Sequence, residues 1–190
     1  MFLSLKRYVA FRMGGALLLP ALIIAGCSST DCPLNNTVYL SARFYNSSSG
    51  AVTNITDTLS VIAGGKNNTL ILNRFVNFNQ INLPMGYVQT SDTLLFCFKT
   101  KAGTVVDQVV VEHTNVPHFV SLDCSTAFFH TITGVTVSPR IPTADFPTAI
   151  DSIVVLQPEV NYDERENLQI YFSTYSFLLP FVTTGSVCAT

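Results

Sequence analysis

Between Thr37 and Phe172 the chain repeats one signal: short runs in which apolar and polar residues alternate, each closed by a turn cluster. Thr37–Tyr45 runs into Asn46-Ser47-Ser48-Ser49-Gly50. Asp57–Ala63 and Thr69–Asn73 flank Gly64-Gly65-Lys66-Asn67-Asn68, and Phe78–Leu83 stops at Pro84. Asp92–Lys99 and Val105–His113 flank Ala102-Gly103, and further runs follow at Phe119–Leu122, Phe128–Val137, Ile150–Leu156 and Asn167–Phe172. A period of two places alternate side chains on opposite faces of a strand, so each run buries one face and wets the other. Two of the turn clusters predict hairpins. No stretch sustains a helical period, and a short helix has room only around Asn73–Val76 or Asp163–Asn167. The expected fold is therefore all-β: an antiparallel β-sandwich of about 9–10 strands, loosely immunoglobulin-like, with a closed barrel as second choice. The chain has no Trp, which removes the buried strand-C Trp of antibody-type domains.

The first 26 residues read differently. Lys6, Arg7 and Arg12 precede an apolar run from Met13 to Gly26 that Pro20 interrupts. A spanning helix needs roughly 20 apolar residues, so this run is an export leader's core and not a membrane span. It ends in Leu22-Ile23-Ile24-Ala25-Gly26-Cys27, which resembles the lipobox of bacterial lipoproteins. That resemblance implies a signal peptide over 1–26 and diacylglyceryl modification of Cys27, with palmitate-type acyl chains holding the protein at a membrane. Each buried methylene contributes about 0.8 kcal/mol, so several chains anchor without a helix. Ser28, in place of Asp, points by the same analogy to the outer membrane, with the leaflet open. The expected organisation is leader 1–26, lipidated N-terminus and short tether 27–36, β-sandwich 37–172, and an apolar C-terminal tail 173–190 of uncertain order.

Charge narrows the partners. Beyond the leader there are seven basic and twelve acidic residues, a formal charge of −5, which argues against nucleic acid. The expected partners are a membrane, through the lipid, and an outer-membrane protein. Once Cys27 is modified, Cys32, Cys97, Cys124 and Cys188 allow three pairings. Cys32 with Cys124 is preferred because each follows an Asp at a strand boundary, and Cys97, inside an apolar strand, reads as a free buried thiol.

Four segments together resemble a family of small, uncharacterised lipoproteins of Bacteroidales-type Gram-negative bacteria. They are Asp31-Cys32-Pro33-Leu34-Asn35-Asn36, Glu112-His113-Thr114-Asn115 with Pro117-His118-Phe119, Asp123-Cys124 with His130–Val135, and Val160–Asp163 with Glu166-Asn167. The resemblance covers roughly Cys27 to Phe172 and implies an envelope lipoprotein without an assigned activity; the tail runs past its end.

Motifs for chemistry are few. Thr56-Asp57-Thr58-Leu59, Ser91-Asp92-Thr93-Leu94 and Ile150-Asp151-Ser152-Ile153 each open a strand. The Asp can satisfy turn amides there. The same triplet resembles an O-glycosylation signal of some Gram-negative anaerobes, which makes Thr58, Thr93 and Ser152 candidate acceptors. Asn35, Asn46, Asn54 and Asn67 stand in Asn-x-Thr/Ser sequons that a bacterial lipoprotein gives no reason to use. His113, His118 and His130 are weak metal candidates, since their spacing matches no common zinc pattern. Asp163-Glu164-Arg165-Glu166 lacks the spacing and glycine of a calcium loop. No Gly-x-Ser-x-Gly, His-Glu-x-x-His or phosphate loop occurs, so no enzyme activity and no cofactor is expected. The leading reading is a non-catalytic structural or interaction subunit of the envelope. The alternative is a glycan- or peptide-binding surface lipoprotein using Tyr87 and Tyr162 as stacking platforms.

Overall fold

The computed structural model describes residues 32, 36–65, 67–99, 104–139, 149–173 and 188. The leader, Cys27, the Asn35 sequon and nearly all of the 173–190 tail lie outside the described residues.

The described residues form ten strands and no helix: β1 (Tyr39–Asn46), β2 (Thr58–Ala63), β3 (Thr69–Phe75), β4 (Gln80–Pro84), β5 (Ser91–Lys99), β6 (Thr104–His118), β7 (Ala127–Pro139), β8 (Ile150–Val155), β9 (Glu159–Val160) and β10 (Glu166–Phe172). A four-stranded sheet in the order β4-β1-β10-β8 packs on a six-stranded sheet in the order β3-β2-β5-β6-β7-β9. Both predicted hairpins, β2–β3 and β5–β6, are present and antiparallel. One pair departs from the antiparallel rule: β1 runs parallel to β10, from Ser41 beside Glu166 to Asn46 beside Phe172. A parallel pair needs a long crossover, and here almost the whole domain supplies it.

The core lies between the sheets. Leu40, Ala42 and Phe44 of β1 and Leu168 and Ile170 of β10 meet Leu59, Val61, Phe96 and Phe98 of β2 and β5, all at 2% exposure or less. The row on β6 is Val105, Asp107, Val109, Val111, His113, and every member is buried. Alternation on this strand is thus strict, but two of the inward positions are polar.

Asp107 is fully buried, and its Oδ2 accepts the Ile150 amide at 2.8 Å, fixing where β8 starts. Its Oδ1 has no hydrogen-bond partner among the described residues. Burial pushes its pKa up to about 6, and the nearby amides of Ile150 and Ala149 pull it only part of the way back. At the opposite end Asn167 is a polar staple. Its Oδ1 accepts the Ser41 amide at 2.9 Å, and its Nδ2 donates to Gln157 O at 3.0 Å and Glu159 O at 2.9 Å.

Two expectations need correction, those for Phe119–Leu122 and for Cys97. Phe119–Leu122 is not a strand but the start of the β6–β7 turn, where Cys124 N donates to Ser121 O. The run is apolar, yet no strand among the described residues pairs with it. No helix forms around residues 73–76 or 163–167, because Arg74 and Glu164 adopt left-handed φ of 48° and 50° and the flanking residues extend. β9 is too short for alternation to reveal. Cys97 is no free thiol: it is bonded to Cys188, with Cα atoms 6.1 Å apart. Cys97 lies on the outer face of β5 with Ile62 and Leu95, and Cys188 packs over that patch. Cys32 is bonded to Cys124, Cα atoms 5.4 Å apart, and Asn36 Nδ2 donates to Ser125 O beside it.

Asp107 supports a stability prediction. The folded chain holds the Asp107 proton more tightly than the unfolded chain, whose carboxyl titrates near 3.8. Folding is therefore favoured as pH falls from about 6 to 4, and the charged carboxylate is a liability above that. Asp107→Asn, which keeps an acceptor for Ile150, is expected to stabilise the protein by about 1–2 kcal/mol at pH 8. The gain disappears near pH 4. Urea unfolding of both proteins at the two pH values checks the sign.

Candidate functional site

The densest polar cluster gathers where the loop between β4 and β5 lies against the far half of β6–β7. His113 and Asn115 stand two apart on β6, so they share its inward face. His130 joins them from β7 because of an irregularity in the ladder: Glu112 pairs with Gly134 but His113 pairs with Ile132. Thr133 is the extra residue, and it reverses which alternate positions of β7 face inward. On one side Val135 and Val137 pack on the core, and on the other His130 and Ile132 do.

Asn115 is the hub. Its Nδ2 donates to Tyr87 O at 3.0 Å and Gln89 O at 2.7 Å. Carbonyl oxygens only accept, so the amide orientation is fixed and Oδ1 is the acceptor on the other side. It receives His113 Nδ1 at 2.8 Å and His130 Nδ1 at 2.7 Å. Both rings therefore carry a proton on Nδ1.

Asp92 closes the cluster. Its Oδ2 accepts Gly86 N at 2.7 Å and lies 3.3 Å from His113 Nε2, while Oδ1 accepts Gln89 Nε2 at 2.7 Å. The His113–Asp92 contact is attractive only with a proton between the two atoms. A Cβ on Gly86 would come within 2.7 Å of Asp92 Oδ1, so the loop can approach the carboxylate this closely only with glycine there.

His130 meets His113 edge to face at 5.2 Å. Burial first, and then the His113 ring, lower its pKa to about 4, with Asp92 opposing. His130 is thus neutral at physiological pH, with one proton committed to Asn115.

Of the three candidate histidines, the fold brings His113 and His130 together and leaves His118 apart. His118 lies on the outer face of β6, stacked on Phe129 at 4.2 Å with Tyr162 edge-on. Among the described residues, no group of three His, Cys, Asp or Glu is placed to hold a metal ion. Tyr87 stacks on Phe128 at 4.9 Å, whereas Tyr162 packs edge-on against Phe129. Phe128 and Phe129 are neighbours on one strand and point to opposite faces, so the two tyrosines form no common platform.

The three Asp–Thr/Ser motifs lie apart. Ser152 on β8 is exposed, Thr58 and Thr93 are half-buried, and the backbone of Gly64 crosses close over the Thr93 side chain. Asp92 does what the structural reading of the motif requires, holding turn amides, and Asp151 binds Ser47 and Ser173 through their hydroxyls. Asp163 and Arg165 form an exposed turn contact at 3.8 Å.

The sequence reading missed Asn115 and Asp92 as cluster members. The signal for Asn115 was present, since it continues the odd-numbered row Val105 to His113. Asp92 carried none, because its partner lies on another strand.

Removing the hub orphans two buried ring donors and two loop carbonyls. Asn115→Ala is expected to cost about 3 kcal/mol or more. Urea unfolding at pH 7 measures the loss, and a cost below about 1 kcal/mol would contradict the hub assignment.

Residues 58–172 match a family of unknown function (DUF6452). No curated protein and no solved structure matches the chain.

Proposed function

The chain belongs to the DUF6452 family of unknown function, and within it we propose a non-catalytic structural or interaction subunit of the cell envelope, anchored to the outer membrane by a lipid on Cys27. The source is a Bacteroidales-type bacterium in this reading. The leader and Leu22–Cys27 supply the anchor. The observation that supports a non-catalytic body is the Asn115 cluster. Its hydrogen bonds go to its own members and to the loop backbone at Tyr87 and Gln89. Asn167 uses the same device on the other sheet, where its role is to staple a turn. Nδ1 of both rings is committed to Asn115, and His113 Nε2 is buried facing Asp92 and not a cleft. The glycan-binding alternative has less support, because Tyr87 and Tyr162 occupy opposite faces of β7.

Two measurements test the reading. Intact mass of the protein purified from its own envelope is expected to show loss of residues 1–26 and a diacylglyceryl adduct. Alkylation should add nothing before reduction and four groups after it, because Cys27 is capped and the other four cysteines are paired. A fifth alkylation would contradict the anchor. The same sample reads the glycan proposal, with Ser152 the accessible acceptor. Affinity purification in mild detergent is expected to recover a stoichiometric membrane protein. Elution of the lipidated protein alone would count against a stable complex.

A further inference from the structure

The tip of the β6–β7 hairpin is both apolar and close to the anchor. Val116, Phe119, Val120 and Leu122 are exposed there, and Leu122 is fully so. Tyr87 and Val88 are exposed beside them, on the loop that Asn115 holds to the arm. Neither segment 113–122 nor segment 85–91 contains a Lys, Arg, Asp or Glu. Asp123 is the one exposed charge in the turn itself, beside Leu122, and the apolar patch next to it marks a contact surface.

Chain length says what that surface meets. Cys32 is bonded to Cys124 at the tip, with Cα atoms 5.4 Å apart. Cys27 and Cys32 are five positions apart, a reach of at most about 18 Å. The 15 residues of β6 extend for about 50 Å, so a lipid on Cys27 comes near the tip and cannot reach the opposite end. We propose that this tip is a membrane-docking surface, its apolar side chains resting in the interfacial layer of the leaflet that holds the Cys27 lipid. The disulfide keeps the tip at that leaflet, so the sandwich stands on end, with Val52 and the start of β8 pointing away. The surface takes phospholipid of no particular headgroup charge, since it offers no basic residue to an anionic one. This inference rests on the lipid-anchor reading.

The absence of Trp makes the test clean. Leu122→Trp places a single reporter at the tip, and Phe119→Trp is a second one. Val52→Trp places one at the far end, where Val52 pairs with Tyr45. Each mature, lipidated variant is reconstituted into phosphatidylcholine–phosphatidylethanolamine vesicles with brominated acyl chains, after its mass has confirmed the lipid. The tip reporters are expected to emit further to the blue and to be quenched at least roughly threefold more than Val52→Trp. Equal, weak quenching at both ends in lipidated protein would overturn the docking, leave the anchor standing and assign the patch to a protein partner. A mass without diacylglycerol would overturn the anchor and this inference with it.

Discussion

The inward row of β6 is the constraint on which the rest of this sandwich depends. Val109 and Val111 fill its middle, and polar side chains flank them: Asp107, inside Val105, on one side, His113 and Asn115 on the other. A buried polar group costs folding energy unless its hydrogen bonds are met. Each therefore dictates what must lie opposite: the start of β8 for Asp107, and the loop between β4 and β5 for Asn115. The two sides have opposite pH dependences. Asp107, with its pKa raised to about 6, favours folding as pH falls below that value. His130, with its pKa lowered to about 4, binds a proton less well folded than unfolded, so stability is lost as pH falls from about 6.5 to 4. Each shift corresponds to about 3 kcal/mol, so in this window the two largely offset each other.

The disulfides place covalent limits on the same strands. Cys32–Cys124 ties a residue from before β1 to the tip of β6–β7, across 92 positions. Cys97–Cys188 ties a residue from after β10 to the outer face of β5, across 91. Closing loops of that length restricts the unfolded chain strongly, by about 4 kcal/mol each in the chain-entropy view. With β1 and β10 paired in parallel, both ends of the domain are held by its central sheet or by each other.

Much of the architecture was legible because its signals are local. The period of two along Val105–Asn115, the turn glycines and Pro84 give the strands and hairpins directly. What was lost depends on partners. Phe119–Leu122 has strand composition, but nothing among the described residues pairs with it. Thr133 inverts the alternation of β7, and no residue type announces that. Cys97 looks like a core thiol because the patch over which Cys188 packs is apolar on the outer face too. For the site, the three histidines suggested a constellation, but its centre is an asparagine and its third histidine faces the other way. The site was less legible for a physical reason: Asn115 and the Nδ1 atoms of His113 and His130 bond to one another and to the loop backbone, and those contacts depend on strand register and not on local composition.

The most direct test is long-range nitrogen–proton NMR of the imidazole rings in the folded, oxidised protein between pH 4 and 8. The hub arrangement requires His113 and His130 both to carry a proton on Nδ1 at neutral pH. Burial beside the His113 ring is expected, in addition, to keep His130 neutral until about pH 4. An Nε2-protonated His130, or one that titrates near the ordinary value of 6.5, would contradict the account.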